Sequence, residues 1–126
     1  MAALVVGVGV DIIEIARIAA AVEHSERFVH RIYTPGEIAY CQQASPPFAR
    51  LAGRFAAKEA VMKALESGWG PLAWQEIEVQ KGPQGQPLVA LSGAARELAQ
   101  KRGVRRVLLS ISHSRDYAVA YATAIG

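Results

Sequence analysis

The sequence predicts an α+β fold in which a mainly antiparallel sheet packs with helices. A valine-rich alternating segment opens the chain from Ala3 to Asp11, and helical periodicity then dominates to about Glu66. Two pairs of alternating segments, separated by one short helix, fill the remainder. Strands joined by short turns pair antiparallel. The 126 residues suit one domain, 1–126, with a real core and no internal linker. Hydrophobic residues make up 52% and charged residues 20%, a balance that excludes a disordered chain. Alanine inflates the hydrophobic share, so the helices are expected to pack closely.

The first strand is read as buried, with Leu4, Val6, Val8 and Val10 on one face and Val5, Gly7, Gly9 and Asp11 on the other. The missing side chains of the two glycines leave room for another element or a ligand, and Asp11 stands at the strand end beside that room. Asp11 could equally cap the helix that follows. From about Glu14, Ile15, Ile18, Val22 and Val29 cluster on one helical side and Arg17, His24, Arg27 and Arg31 almost opposite if the helix runs through Ser25; Ser25 could instead cap a new short helix, which would bend the ridge. Such a basic ridge suits an acidic helix as partner, although most surface charge is simply solvated. Thr34-Pro35-Gly36-Glu37 forms a capping box and starts a short helix to about Gln43.

Ser45-Pro46-Pro47 breaks that helix, and a longer one is expected from about Phe48 to Glu66, ended by Ser67-Gly68 and Gly70-Pro71. Ile77 and Val79, alternating with Glu76, Glu78 and Gln80, pair with Pro87 to Leu91 across a glycine-bearing loop. Ser92 caps a last helix that Gly103 ends. Val107, Leu109 and Ile111 then alternate with Leu108, Ser110 and Ser112, and His113-Ser114-Arg115-Asp116 turns the chain into Tyr117 to Ala122.

The long helix carries a puzzle. Phe48, Leu51, Ala52, Phe55 and Met62 share one stripe, and Glu59 falls near its middle with Lys63 one turn later, while Arg50 and Arg54 point away. A carboxylate on an apolar stripe must be neutralised, paired or bound to a metal. An ion pair from Glu59 to Lys63 and a metal site are both open on the residues alone. With Asp11, Glu59 offers two carboxylates, which a hard cation such as magnesium needs when phosphates and water complete its shell. Arg54, Lys58 and Lys63 on the same helix would stabilise charge on a phosphate.

Other chemistry finds less support. Cys41 is alone, in a helix that reads as polar, and His24, His30 and His113 lack metal-ligand spacing, so neither zinc nor a thiol nucleophile is indicated. Ser112 and His113 point to opposite faces of a strand and make no hydrolase pair. There is no dinucleotide fingerprint and no Gly-Lys-Ser/Thr loop. The net charge of +3 suits an acidic partner or phosphates without singling out nucleic acid. One cysteine, no apolar run of about 18 residues and no signal-peptide pattern make the cytoplasm the expectation and leave no membrane role.

Three blocks together resemble the small bacterial holo-acyl-carrier-protein synthase class of 4′-phosphopantetheinyl transferases. They are Gly7 to Ile15, Arg54-Phe55-Ala56-Ala57-Lys58-Glu59-Ala60 with Lys63-Ala64-Leu65, and Ser110-Ile111-Ser112-His113-Ser114 before Tyr117-Ala118; Phe28, Thr34, Glu37 and Trp74 to Val79 also match. The resemblance implies the fold of that family and transfer of phosphopantetheine from coenzyme A to a serine of apo-acyl carrier protein in fatty-acid biosynthesis. It implies magnesium on Asp11 and Glu59, Lys63 at the diphosphate, and coenzyme A bordered by Arg54, Lys58, Pro87, Ser112 and His113. Glu59 or His113 would act as base. Arg17, with His24 and Arg27, would meet the acidic carrier helix, and three chains would form a homotrimer with sites between subunits. Glu66 departs from the pattern by replacing a common glycine, and Ser114 replaces a frequent threonine. A non-catalytic module that holds an acidic protein or nucleic acid on the basic first helix is the rival reading.

Overall fold

The computed structural model describes residues 4–66 and 72–126. Its elements follow as β1 (Val5–Glu14), α1 (Ile15–His24), α2 (Glu26–Ile32), α3 (Pro35–Gln42), α4 (Phe48–Ala64), β2 (Ile77–Lys81), β3 (Pro87–Leu91), α5 (Gly93–Lys101), β4 (Arg106–His113) and β5 (Tyr117–Ile125), with a 3-10 turn at Trp74–Glu76 leading into β2. All strand pairs are antiparallel: one sheet has the order β1-β5-β4, and β2 with β3 forms a separate hairpin. The hairpin lies against β4, the edge of the larger sheet away from β1. The α+β architecture is the one the alternating and helical segments predict. The stop signals at Ser67-Gly68 and Gly70-Pro71 lie outside the described residues.

Small residues decide how the layers meet. A Cβ on Gly7 would run into the carbonyl oxygen of Ala64, and one on Gly9 into that of Ala60, so the space beside the strand is filled by the backbone of α4. From the sheet side, Ala118, Ala120, Ala122 and Ala124 of β5 are buried, and from the helix side Ala52, Ala56, Ala57, Ala60 and Ala64. Helix and sheet thus approach more closely than larger side chains would allow. The consequence is that β1 and α4 share one close contact.

Several expectations need correction. β1 is covered on one face only, because α4 lies on the other side of the sheet: Val8, Val10 and Ile12 are 52, 53 and 64% exposed. On α4, the Phe48-Phe55-Met62 stripe is half-buried, while the alanine face and even Arg54 and Lys58 are buried, since α3 and the hairpin cover what the periodicity reads as the outer side. The chain breaks at Ser25 in extended backbone, which divides the basic ridge between α1 and α2. The Ser92 side chain makes no capping hydrogen bond; Glu76 Oε2 accepts from the Ala94 N–H at 2.8 Å instead. Cys41 is fully buried rather than on a polar surface, and burial pushes its thiol up to about 11, so it stays protonated and inert.

The capping box at Thr34 is present as read, and its glutamate reaches further than a cap. Glu37 accepts from the Thr34 N–H at 2.8 Å through Oε1 and from the Val79 N–H at 2.7 Å through Oε2. Its Oε1 also lies 2.7 Å from the Lys58 ammonium, and both side chains are fully excluded from solvent. Lys58 Nζ donates further to the carbonyls of Ile77 at 2.7 Å and Trp74 at 3.1 Å. One buried cluster therefore ties α3, α4 and the hairpin together.

Candidate active site

Register places the first carboxylate. Asp11 pairs with Ala120 of β5, and Ala120 pairs with Ile111 of β4, so Asp11 belongs to the sheet face that α4 covers. Glycines at positions 7 and 9 let α4 come close enough for its last turns to reach that side chain. Lys63 Nζ donates to the Val10 carbonyl at 2.9 Å and lies 3.5 Å from Asp11 Oδ1, while its side chain keeps 54% of its exposure. Its partner is Asp11 across the helix–sheet contact, and no Glu59–Lys63 ion pair is present. The ammonium is anchored at one side and open at the other.

Electrostatics tie Glu59 to the same place. Partial burial pushes its carboxyl above the ordinary range, and the Asp11 charge raises it further, with Lys63 opposing. Burial likewise raises Asp11, against the pull of Lys63 and of the Arg17 guanidinium. The two carboxylates repel each other, and Lys63 offsets part of their charge. Among the described residues no group of three or more His, Cys, Asp or Glu could enclose a metal. A two-carboxylate oxygen donor set fits magnesium, whose remaining positions are commonly filled by substrate phosphates and water.

Other predicted site residues lie elsewhere in one chain. Lys58 is correct in helix position but faces the core, where Glu37 neutralises it. Arg54 is 7% exposed; its guanidinium sits 4.0 Å above the centre of the Tyr40 ring, and Nε has no hydrogen-bond partner. Arg50 shares that ring at 4.5 Å. His113 shares the Asp11 sheet face, but two strand spacings and a two-residue offset separate their Cα atoms by about 12 Å. Ser112 projects from the opposite face, and Pro87 begins β3 on the hairpin beyond β4. Arg17, His24 and Arg27 are all exposed.

Sequence reasoning missed Tyr40 and the long reach of Glu37. The capping box marked Glu37, yet nothing local signals that its carboxylate meets Lys58 across the helix pair. Tyr40 carries no local signal at all.

Comparison with known proteins closes the question of class. Residues 7–122 match the model of the 4′-phosphopantetheinyl transferase superfamily. The chain belongs to this superfamily and has the fold and transferase character of its members. It is 52% identical over 120 residues to the holo-[acyl-carrier-protein] synthase of Chlamydia trachomatis serovar L2, covering 94% of this chain and 98% of that protein. Its structure superposes on the holo-ACP synthase of Plasmodium yoelii with a TM-score of 0.88, at 29% identity, over 100% of this chain and 98% of the other. The Helicobacter pylori holo-[acyl-carrier-protein] synthase, solved in complex with coenzyme A, gives a TM-score of 0.79 at 35% identity, over 93% and 98% of the two chains.

Proposed function

We propose that the chain transfers the 4′-phosphopantetheine group of coenzyme A to a serine of apo-acyl carrier protein, releasing adenosine 3′,5′-bisphosphate. The observation that carries this reading is the placing of Asp11, Glu59 and the half-exposed Lys63 at one helix–sheet contact. Asp11 and Glu59 would hold magnesium, which when bound supplies positive charge to the diphosphate. Lys63 Nζ, steadied by the Val10 carbonyl, adds a second positive charge to the non-bridging oxygens. The serine Oγ bonds to the β-phosphorus, the bond from that phosphorus to the bridging oxygen breaks, and the departing bisphosphate keeps the electron pair. Glu59, beside Asp11, would take the serine proton.

The remaining members of the proposed site imply more than one chain. The outer sheet face exposes the apolar side chains of Val8, Val10, Ile12, Leu108, Tyr117 and Tyr121. Packing of three copies through this face would let a neighbour's Ser112, His113 and Pro87 border the coenzyme A held at Asp11 and Glu59. Arg54, buried against Tyr40, and Lys58, bonded to Glu37 and the hairpin, act from behind by fixing α3, α4 and the hairpin. A reducing compartment, the cytoplasm, suits the lone thiol, and fatty-acid synthesis is the pathway proposed.

The test is mass spectrometry of apo-acyl carrier protein incubated with the chain, coenzyme A and magnesium. One phosphopantetheine is expected to be added, and none with chelator; an unmodified carrier under both conditions would favour a non-catalytic binding module. The docking role proposed for Arg17 is supported by its exposure on α1 and by its charge acting on Asp11. Arg17→Glu is expected to raise the KM for carrier protein roughly tenfold or more with the coenzyme A KM within about twofold. Equal rises in both would argue against docking at α1.

A further inference from the structure

Glu66 is the one non-glycine residue with positive φ among the described residues, at 56°, and it stands immediately past the end of α4. A left-handed backbone crowds Cβ against the next carbonyl, so a residue other than glycine holds it only when its surroundings insist. Arg102 supplies that insistence. Its Nη1 donates to Glu66 Oε2 at 2.7 Å and its Nη2 to the Glu66 carbonyl oxygen at 3.2 Å. One planar guanidinium therefore fixes the side chain and the backbone of the same residue.

Both ends of this clamp are themselves held. The Arg102 N–H donates to the Leu98 carbonyl at 3.0 Å to finish α5, and Gly103, at φ 74°, turns the chain away. On the other side, the Glu66 N–H donates to the Lys63 carbonyl at 3.0 Å and closes the turn that follows α4. Lys63 is the residue whose ammonium reaches Val10 and Asp11. We infer that the Glu66–Arg102 clamp is a positioning device: by holding the left-handed turn it sets Lys63 for the diphosphate of coenzyme A. The inference rests on the role given to Lys63 above. A glycine at position 66 would adopt the same φ without help, so the clamp compensates within this chain for a side chain at a turn that favours none.

This logic gives a four-variant experiment with steady-state kinetics and thermal unfolding on the wild type, Arg102→Ala, Glu66→Gly and the double variant. Arg102→Ala in the wild-type background is expected to raise the coenzyme A KM about three- to tenfold, with kcat and the carrier-protein KM within about twofold. In the Glu66→Gly background the same substitution is expected to change the coenzyme A KM by less than about 1.5-fold. Equal effects in both backgrounds, or a lowered melting temperature with no change in KM, would overturn the clamp. Lys63→Ala separates the two layers of the argument. If it slows transfer while Arg102→Ala is silent, the clamp alone is wrong; if it leaves every kinetic constant unchanged, the role of Lys63 fails and the clamp with it.

Discussion

Glu59→Gln is expected to lower transfer at least a hundredfold while making the metal-free protein slightly more stable. The amide removes the proton acceptor and one of two carboxylates, a loss on the scale of general-base catalysis. Stability moves the other way because the folded-state pKa of Glu59 lies above its ordinary value of 4.5. A folded state that binds the proton more tightly than the unfolded chain is penalised as pH rises through the folded pKa, and the penalty is complete above it. At pH 7 in chelator the variant should therefore melt slightly higher. Well below pH 4.5, where both states of the wild type hold the proton, the gap should close. Full activity in the variant would remove Glu59 from the chemistry, and a lower melting temperature at pH 7 would show that its charge is stabilising.

What could be read from residues alone follows a physical boundary. Short-range rules found the elements: the Thr34 box and the Gly103 stop depend on neighbours in sequence and are where these place them, whereas β1 runs past Asp11 to Glu14, so Asp11 stands inside the strand rather than at its end. The carboxylate of Glu59 drew attention because it breaks a helical pattern, and Asp11 because two glycines share its strand face. The reason the pair meets was only half legible. Gly7 and Gly9 announce a close approach, but not that the partner is the backbone at Ala60 and Ala64. The stripe reading failed where burial has more than one source: α4 is packed between the sheet, α3 and the hairpin, and a periodicity that assumes one wet face assigns Arg54 to it. A side chain's distant partner has no sequence signal, so the Lys58–Glu37 and Arg54–Tyr40 contacts emerge only from the fold.

The buried pair supplies the largest expected loss of stability. Glu37→Gln leaves the Lys58 ammonium in a space that water does not reach, with two carbonyls but no counter-charge. Burial already lowers the pKa of Lys58 and Glu37 opposes that, so the uncompensated cation is the costly species. The expected loss is about 3–5 kcal/mol in urea unfolding. Lys58→Met should also destabilise, though less, because Glu37 keeps the Thr34 and Val79 N–H groups as donors. If the two charges act on each other, the double variant will be at least about 2 kcal/mol more stable than the sum of the single losses predicts; strict additivity would show that the pair is not coupled. The same double variant decides the place of Lys58 in the reaction. Coenzyme A binding close to that of the wild type identifies Lys58 as the support of the hairpin and of α4, whereas a large loss of affinity in a protein that still folds would return it to the ligand. The distinction follows from burial: an ammonium with three acceptors at 2.7 to 3.1 Å has no donor left for a phosphate.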